Sequence, residues 1–413
     1  MLSAYRVLDL TTERGLLCGQ ILGDLGADVI KVEPPGGSPA RRLGPFYQDQ
    51  PHPDRSLLWW AYNRNKRGIT LDLTSPAGKE IFLRLVQSAH FLVESDNPGA
   101  MAQLGLGYDT LAALNPGLIY ISISAFGQDG PKASYADSDL VILTASGPTI
   151  LSGDSDRAPL RLSVPQAYLH ACAEAATAAM LANHERHRSG QGQYIDVSAQ
   201  QAIALATQAY ILSGPYKDVE IQRMAGGIKV GPITIRLLWP AKDGYVAITY
   251  LFGTAFGHFT KRLMDWIHEE GLCSDEIQTM DWVRFGGELF AGGDAIAKFE
   301  QLKLIVEDFT KTKTKAELLH GALERTLLIA PISKLDEVVA SPQLNARGYW
   351  QDVAHPELGQ TFKYPGPFVK FSETPIAYRR RPPLVGEHNR EIFVNELGMA
   401  EQQLTTLQQH GVI

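Results

Sequence analysis

The chain has 413 residues, 45% hydrophobic and 20% charged, with a formal net charge of −7. Single cores stop growing near about 250–300 residues, so this length predicts two domains of an ordinary soluble class. The acidic balance argues against a dedicated nucleic-acid binder, which needs clustered Lys and Arg, but leaves room for a local basic site for a small phosphate ligand. The three cysteines, Cys18, Cys172 and Cys273, are far apart and form no metal spacing, so neither a metal site nor a disulfide framework is expected. The N-terminus MLSAYRVLDLTTERG lacks a basic and then apolar leader, and no apolar run approaches the roughly 18–20 residues of a membrane span. A cytoplasmic protein is the expectation.

In chain order, YRVLDL (5–10) reads as a strand, GLLCGQILGDLG (15–26) as a helix ending at Gly26, and DVIKVE (28–33) as a second strand. Ser75 and Pro76 open a helix over 75–89. A strand at 90–94, a helix near 99–115 and a strand at 118–124 follow. Such alternation indicates βαβ units and a parallel sheet, which binds ligands at the carboxyl ends of its strands. Val164–Arg188 is apolar on most faces and alanine-rich, which predicts a buried helix. WPAKDGYVAITYL (239–251) suggests a hairpin at Asp243-Gly244, charged amphipathic helices fill roughly 255–328, and a last helix spans 387–408.

The usual phosphate-loop, nucleophile-elbow, zinc-protease and dinucleotide signatures are absent. GGIKVG (226–231) fits a plain turn better than a ligand loop, and Arg379-Arg380-Arg381 reads as a solvated connector. His170 reads as a core or interface histidine before a catalytic one.

The segments LGDLGADVIKVEPPGG (22–37), NRNKRGITLDL (63–73) and NPGAMAQLGLGYDTLAALNPGLIYISISAFGQDGP (97–131) together resemble the family III CoA-transferases. The likeness continues through RSGQGQYIDVS (188–198), KDGYVAI (242–248), SPQLNARGYW (341–350), YPGPFVKFSETP (364–375) and PPLVGEHN (382–389), nearly the whole chain. It implies an α/β fold: a Rossmann-like large domain built from both ends of the chain, a smaller α+β domain, and an interlocked ring-like dimer. The expected division is 1–224 for the N-terminal part of the large domain, 225–330 for the small domain, and 331–413 for a linker and the C-terminal return. It also implies coenzyme A thioesters as substrates, with no permanently bound cofactor and no metal. Lys31, Arg41 and Arg42, with Asn65 and Lys66, fall in segments where the family contacts CoA, whose phosphates need cationic donors. For Arg41 and Arg42 a surface salt bridge is the competing reading.

In active members an aspartate at the front of the alanine-rich helix attacks the thioester and forms a mixed anhydride. The matching position here is Tyr168, with Cys172 four residues on, and a slip of register offers only Gln166 or Pro165. A phenol with a pKa of about 10 is protonated near neutrality and forms no anhydride. Other departures are Arg14-Gly15-Leu16 in place of an Ala-Gly-Pro turn, with Glu13 where a glutamine is usual, and Gln103 for an arginine. Ser95-Asp96 stands for Asn-Phe, and Ser138 stands where the racemase branch has a histidine.

The segment VPQAYLHACAEAA looks most like the non-nucleophilic subunit of the two-subunit benzylsuccinate CoA-transferases. The resemblance therefore implies a subunit that helps move CoA from succinyl-CoA to (R)-benzylsuccinate beside a catalytic paralogous partner. The alternatives are a homodimeric transferase using a displaced carboxylate (Asp154, Asp156 or Glu174), and a non-enzymatic CoA-binding regulator.

Overall fold

A computed structural model describes residues 1–216, 223, 226–230 and 233–413. The chain divides into two compact units, one formed by Met1–Ile150, Arg161–Glu220 and Asn345–Ile413, the other by Leu151–Leu160 and Ile221–Leu344. The expected domain boundary near residue 225 lies outside the described residues, as does Gly231 of the glycine-rich run.

The first unit is built on a six-stranded parallel sheet: β1 (Arg6–Asp9), β2 (Asp28–Glu33), β3 (Lys66–Thr70), β4 (Phe91–Glu94), β5 (Ile119–Ser124) and β6 (Tyr194–Ser198), ordered β3-β2-β1-β4-β5-β6. The order reverses between β1 and β4, where Val7 faces Phe91 and Leu8 faces Leu92. In doubly wound sheets this reversal opens the ligand crevice at the carboxyl ends.

The strands are apolar because both faces are covered. Val7, Val29, Phe91, Val93, Ile119 and Ile121 pack on one side with Leu22 of helix α1 (Leu16–Asp24) and the alanines of the long helix Ala167–Ser189. The alternate residues Leu8, Ile30, Leu92 and Tyr120 pack on the other side with Phe82 of Pro76–Gln87, Leu111 and the C-terminal Ile392 and Phe393. The period of two along each strand sorts side chains between the two cores.

The alanine-rich helix is buried along one face and exposed along another. Ala171, Ala175 and Ala179 have no exposure, while Leu181 on another face is 67% exposed. The small side chains form one stripe that lets the backbone lie close to α1 and the sheet. The expected 99–115 helix is two pieces, Ala100–Gln103 and Tyr108–Leu114, separated at Gly105 with φ 74°. The last helix is also two, a π-type turn at Glu391–Glu396 and an α-helix at Glu401–Gln409.

Arg379 and Arg381 are anchors and not a solvated run. Arg379 donates to the carbonyls of Gly23 (2.7 Å) and Gly26 (3.1 Å) at the end of α1, and Arg381 pairs with Glu357 (2.7 Å) and Glu387 (2.8 Å). Helix C-terminal carbonyls attract such cations.

The second unit contains an antiparallel sheet of Leu238–Ala241, Gly244–Ile248 and Ile329–Pro331. Helices Gly253–Glu269, Trp282–Ala291, Asp294–Lys311 and Lys315–Arg325 pack around Trp239, Tyr250, Trp266, Phe285, Phe299 and Phe309. Gly227–Val230 is a strand paired with Ile233–Arg236 and not a plain turn. No helix among the described residues is long and apolar enough to cross a membrane.

Candidate active site

The crevice at the carboxyl ends of β1 and β4 is bridged by side chains from the loops that follow those strands. Thr12 N donates to Ser95 Oγ at 2.8 Å, and the two hydroxyls lie 3.1 Å apart. Arg14 Nη1 donates to Asn97 Oδ1 at 2.9 Å. Gly15 follows directly, where a Cβ would lie 2.4 Å from Thr11 Cγ2, so only glycine fits that turn.

Tyr168 stands in the first turn of the long helix with its hydroxyl 2.7 Å from Asp137 Oδ1. Asp137 Oδ2 lies 3.0 Å from Arg14 Nη2, and the aspartate side chain is 9% exposed. Burial first, then the bond to Asp137, pushes the Tyr168 phenol far above the ordinary tyrosine range, so the hydroxyl is a fixed donor. The helix front itself is capped by Asp139, whose Oδ1 accepts from Gln166 N (2.7 Å) and Ala167 N (2.8 Å). Cys172, one turn below Tyr168, is buried with Sγ 3.5 Å from Arg14 O.

Four of the five residues matched to CoA-contact segments are buried. Lys66 Nζ donates to Asp9 Oδ2 (2.8 Å), Leu16 O (2.8 Å) and Asn63 Oδ1 (2.9 Å), which uses its three protons. Lys31 Nζ donates to Asp9 Oδ1 (3.1 Å), Asp9 O (3.2 Å) and, closely, Thr11 O. Burial alone would raise Asp9, but Lys31 and Lys66 bring it down to about 2. Arg41 grips Glu33 through Nε (2.6 Å) and Nη2 (2.8 Å), reaches Asp54 at 2.7 Å, and lies over the Trp59 ring. Asn65 donates to Asp24 Oδ1 at 2.7 Å and accepts from Arg379 N at 2.7 Å. Of the five, Arg42 alone is exposed.

Three carboxylates lie in and just after β4 and β6. Burial pushes Glu94 up to about 7 against the bonds it accepts from Ser122 and Asp96 N, and burial also raises Asp96 and Asp196. Gln103 is exposed, and Ser138 caps the helix Asp139–Ala145. His170 is exposed and lines an apolar cavity of about 470 Å³ with Val164, Gln166 and Ile203. A polar cavity of about 500 Å³ lies at the opposite, amino ends of β2 and β3, where Arg67 is already matched by Asp28. Of the displaced-carboxylate candidates, Glu174 alone lies in the first unit. Asp154 and Asp156 lie on an exposed loop beside Arg157, and Glu174 is exposed almost two turns along the helix. Asp137 and Asp139 bond to the helix front, where Glu13 also acts on Tyr168, and the linear pattern singled out neither aspartate. The one signal for Asp139 is Ser138-Asp139 ahead of the apolar run Leu140–Leu143, a capping pattern.

Residues 2–389 match the model of CoA-transferase family III. The chain is 34% identical to the succinyl-CoA:(R)-benzylsuccinate CoA-transferase subunit BbsE of Thauera aromatica, over 100% of this chain and 98% of that one. It is 33% identical to the succinyl-CoA–D-citramalate CoA-transferase of Chloroflexus aurantiacus, again over 100% and 98%. Among solved structures, a CaiB/BaiF family protein from Brucella suis superposes with a TM-score of 0.81 at 28% identity, covering 95% of this chain and 98% of that one. With a reversed-order parallel sheet and a family match along nearly its full length, the chain belongs to family III of the CoA-transferases.

Proposed function

We propose that the chain is the non-nucleophilic subunit of a two-subunit, cytoplasmic CoA-transferase. The enzyme would move CoA from succinyl-CoA to (R)-benzylsuccinate, and a paralogous partner would supply the attacking aspartate. The observation that carries this reading is Tyr168, a half-buried, hydrogen-bonded phenol at the helix front where the chemistry requires an ionised oxygen acid. The full-length likeness to a subunit of the benzylsuccinate enzyme supports the substrate pair and the heteromeric partner. Glu94 at the end of β4, Asp96 just past it and Asp196 within β6, with Gln103 in place of a cation, disfavour the CoA phosphates, so this subunit binds CoA weakly. Arg42 is the exposed cation left for such a contact, while Lys31, Arg41, Asn65 and Lys66 hold the frame.

A second reading, a self-sufficient transferase, is favoured by one feature: the Asp137 carboxylate lies against Tyr168. Its two oxygens are engaged by Tyr168 and Arg14, which lowers its nucleophilicity.

The two readings separate on trapping. The purified chain is incubated with succinyl-CoA and then with hydroxylamine or borohydride. The expected result is no modified residue and no transfer by this chain alone, with activity on co-purification with a paralogue carrying Asp at the matching helix start. A hydroxamate on Asp137 or Asp139 of the isolated chain overturns the proposal.

A further inference from the structure

Asp137 is bound in the way a protein binds a free acid. One oxygen takes the Tyr168 hydroxyl at 2.7 Å, and the other takes the Arg14 guanidinium at 3.0 Å. Asn97 holds the far side of Arg14 at 2.9 Å, so the guanidinium is fixed independently of its ligand. The donors come from different elements, the turn after β1 and the long helix, and converge on one carboxylate in the switch-point crevice.

The local structure does not need Asp137. Ser138 caps the helix that follows it, and Asp139 caps the long helix. Asp137 arrives on the irregular segment between β5 and that helix, residues 125–138, which contains Gly127 and Gly130 at φ 96° and 86°. Its contribution is therefore a charge delivered to two donors placed by other elements.

We propose that Arg14 and Tyr168 form a binding site for the carboxylate of a small organic acid, and that Asp137 is a tethered stand-in occupying it. The proposal rests on the reading above in one respect: Tyr168 is a donor and carries no chemistry. A tethered carboxylate competes at an effective concentration in about the millimolar range, so a dilute free acid does not displace it. Removing it leaves a half-buried phenol without a partner and a guanidinium, still held on its far side by Asn97, with its near edge unpaired, the condition under which an outside carboxylate binds.

The test is calorimetric titration of succinate into the wild-type chain and into Asp137→Ala, with succinamide as the uncharged control. Asp137→Ala is expected to bind succinate about tenfold or more tightly than wild type. The double variant Arg14→Gln/Asp137→Ala is expected to lose that gain, and succinamide to bind neither. If Asp137→Ala gives no cooperative melt, Asp137→Ser, which vacates the space beside Arg14 and Tyr168 while keeping a polar side chain on the loop, is titrated instead. A folded Asp137 variant with no gain in succinate affinity, or a gain that survives loss of Arg14 or is matched by succinamide, overturns the proposal. Acyl trapping on the wild-type chain would instead sink the functional reading, so the two failures are distinct.

Discussion

Glu94 is the residue whose protonation sets a pH dependence. Burial lifts it from 4.5 to about 7, so the folded chain keeps a proton that the unfolded chain releases. The stabilising contribution is complete below the unfolded value and disappears as pH rises through the folded one. Replacing the acid with Glu94→Gln is expected to leave stability unchanged below about pH 4.5 and to raise it above pH 7 by up to about 3 kcal/mol. Thermal melts of both forms across that range check this; parallel pH curves would contradict it. At the same scale, Tyr168 was legible in the sequence through the resemblance to the family, whose motif at the front of the alanine-rich helix lines up with that position. Asp137 was not legible, because no periodicity links a loop residue to a helix residue 31 positions later.

Elements follow the sequence where a local rule acts alone. Ser75 accepts from Gly78 N at 3.0 Å and opens a helix at Pro76, as its side chain dictates. The long helix shows the limit of such rules, since its own N-cap residue, Gln166, makes no capping bond. The cap comes from Asp139 on another helix, which accepts from two main-chain N–H groups. Asp139→Ala is expected to cost about 1–2 kcal/mol, measured by urea unfolding, with faster amide exchange confined to residues 166–170. Unchanged exchange there would show that the cap contributes nothing to the helix front. Breaks at Gly105 and Gly398, both at positive φ, divide helices that periodicity alone would run together.

Across the whole molecule, the C-terminal segment completes the sheet. β3 lies at the sheet edge, and its outward N–H groups on Gly68 and Thr70 donate to His388 Nδ1 (3.1 Å) and Asn389 Oδ1 (2.8 Å). The PPLVGEHN motif is therefore an edge cover supplied from the far end of the chain. Asn389→Ala leaves Thr70 N–H buried without a partner and is expected to cost about 1–3 kcal/mol. Hydrogen exchange should quicken along residues 66–70, and a melt equal to wild type would contradict the account.

By itself the sequence determined the alternation of strand and helix, the family, and the lack of any Asp or Glu between Asp156 and Glu174. Each depends on residue type and short spacing, which a linear chain displays. Only the tertiary structure decided that Lys31 and Lys66 share the buried Asp9, that Arg41 closes on Glu33, and that Asp137 reaches Arg14 and Tyr168. Whether a charged side chain faces a ligand or an internal partner depends on distances of a few ångströms between segments remote in sequence, because desolvating a charge is costly unless a hydrogen-bonded partner sits in contact with it.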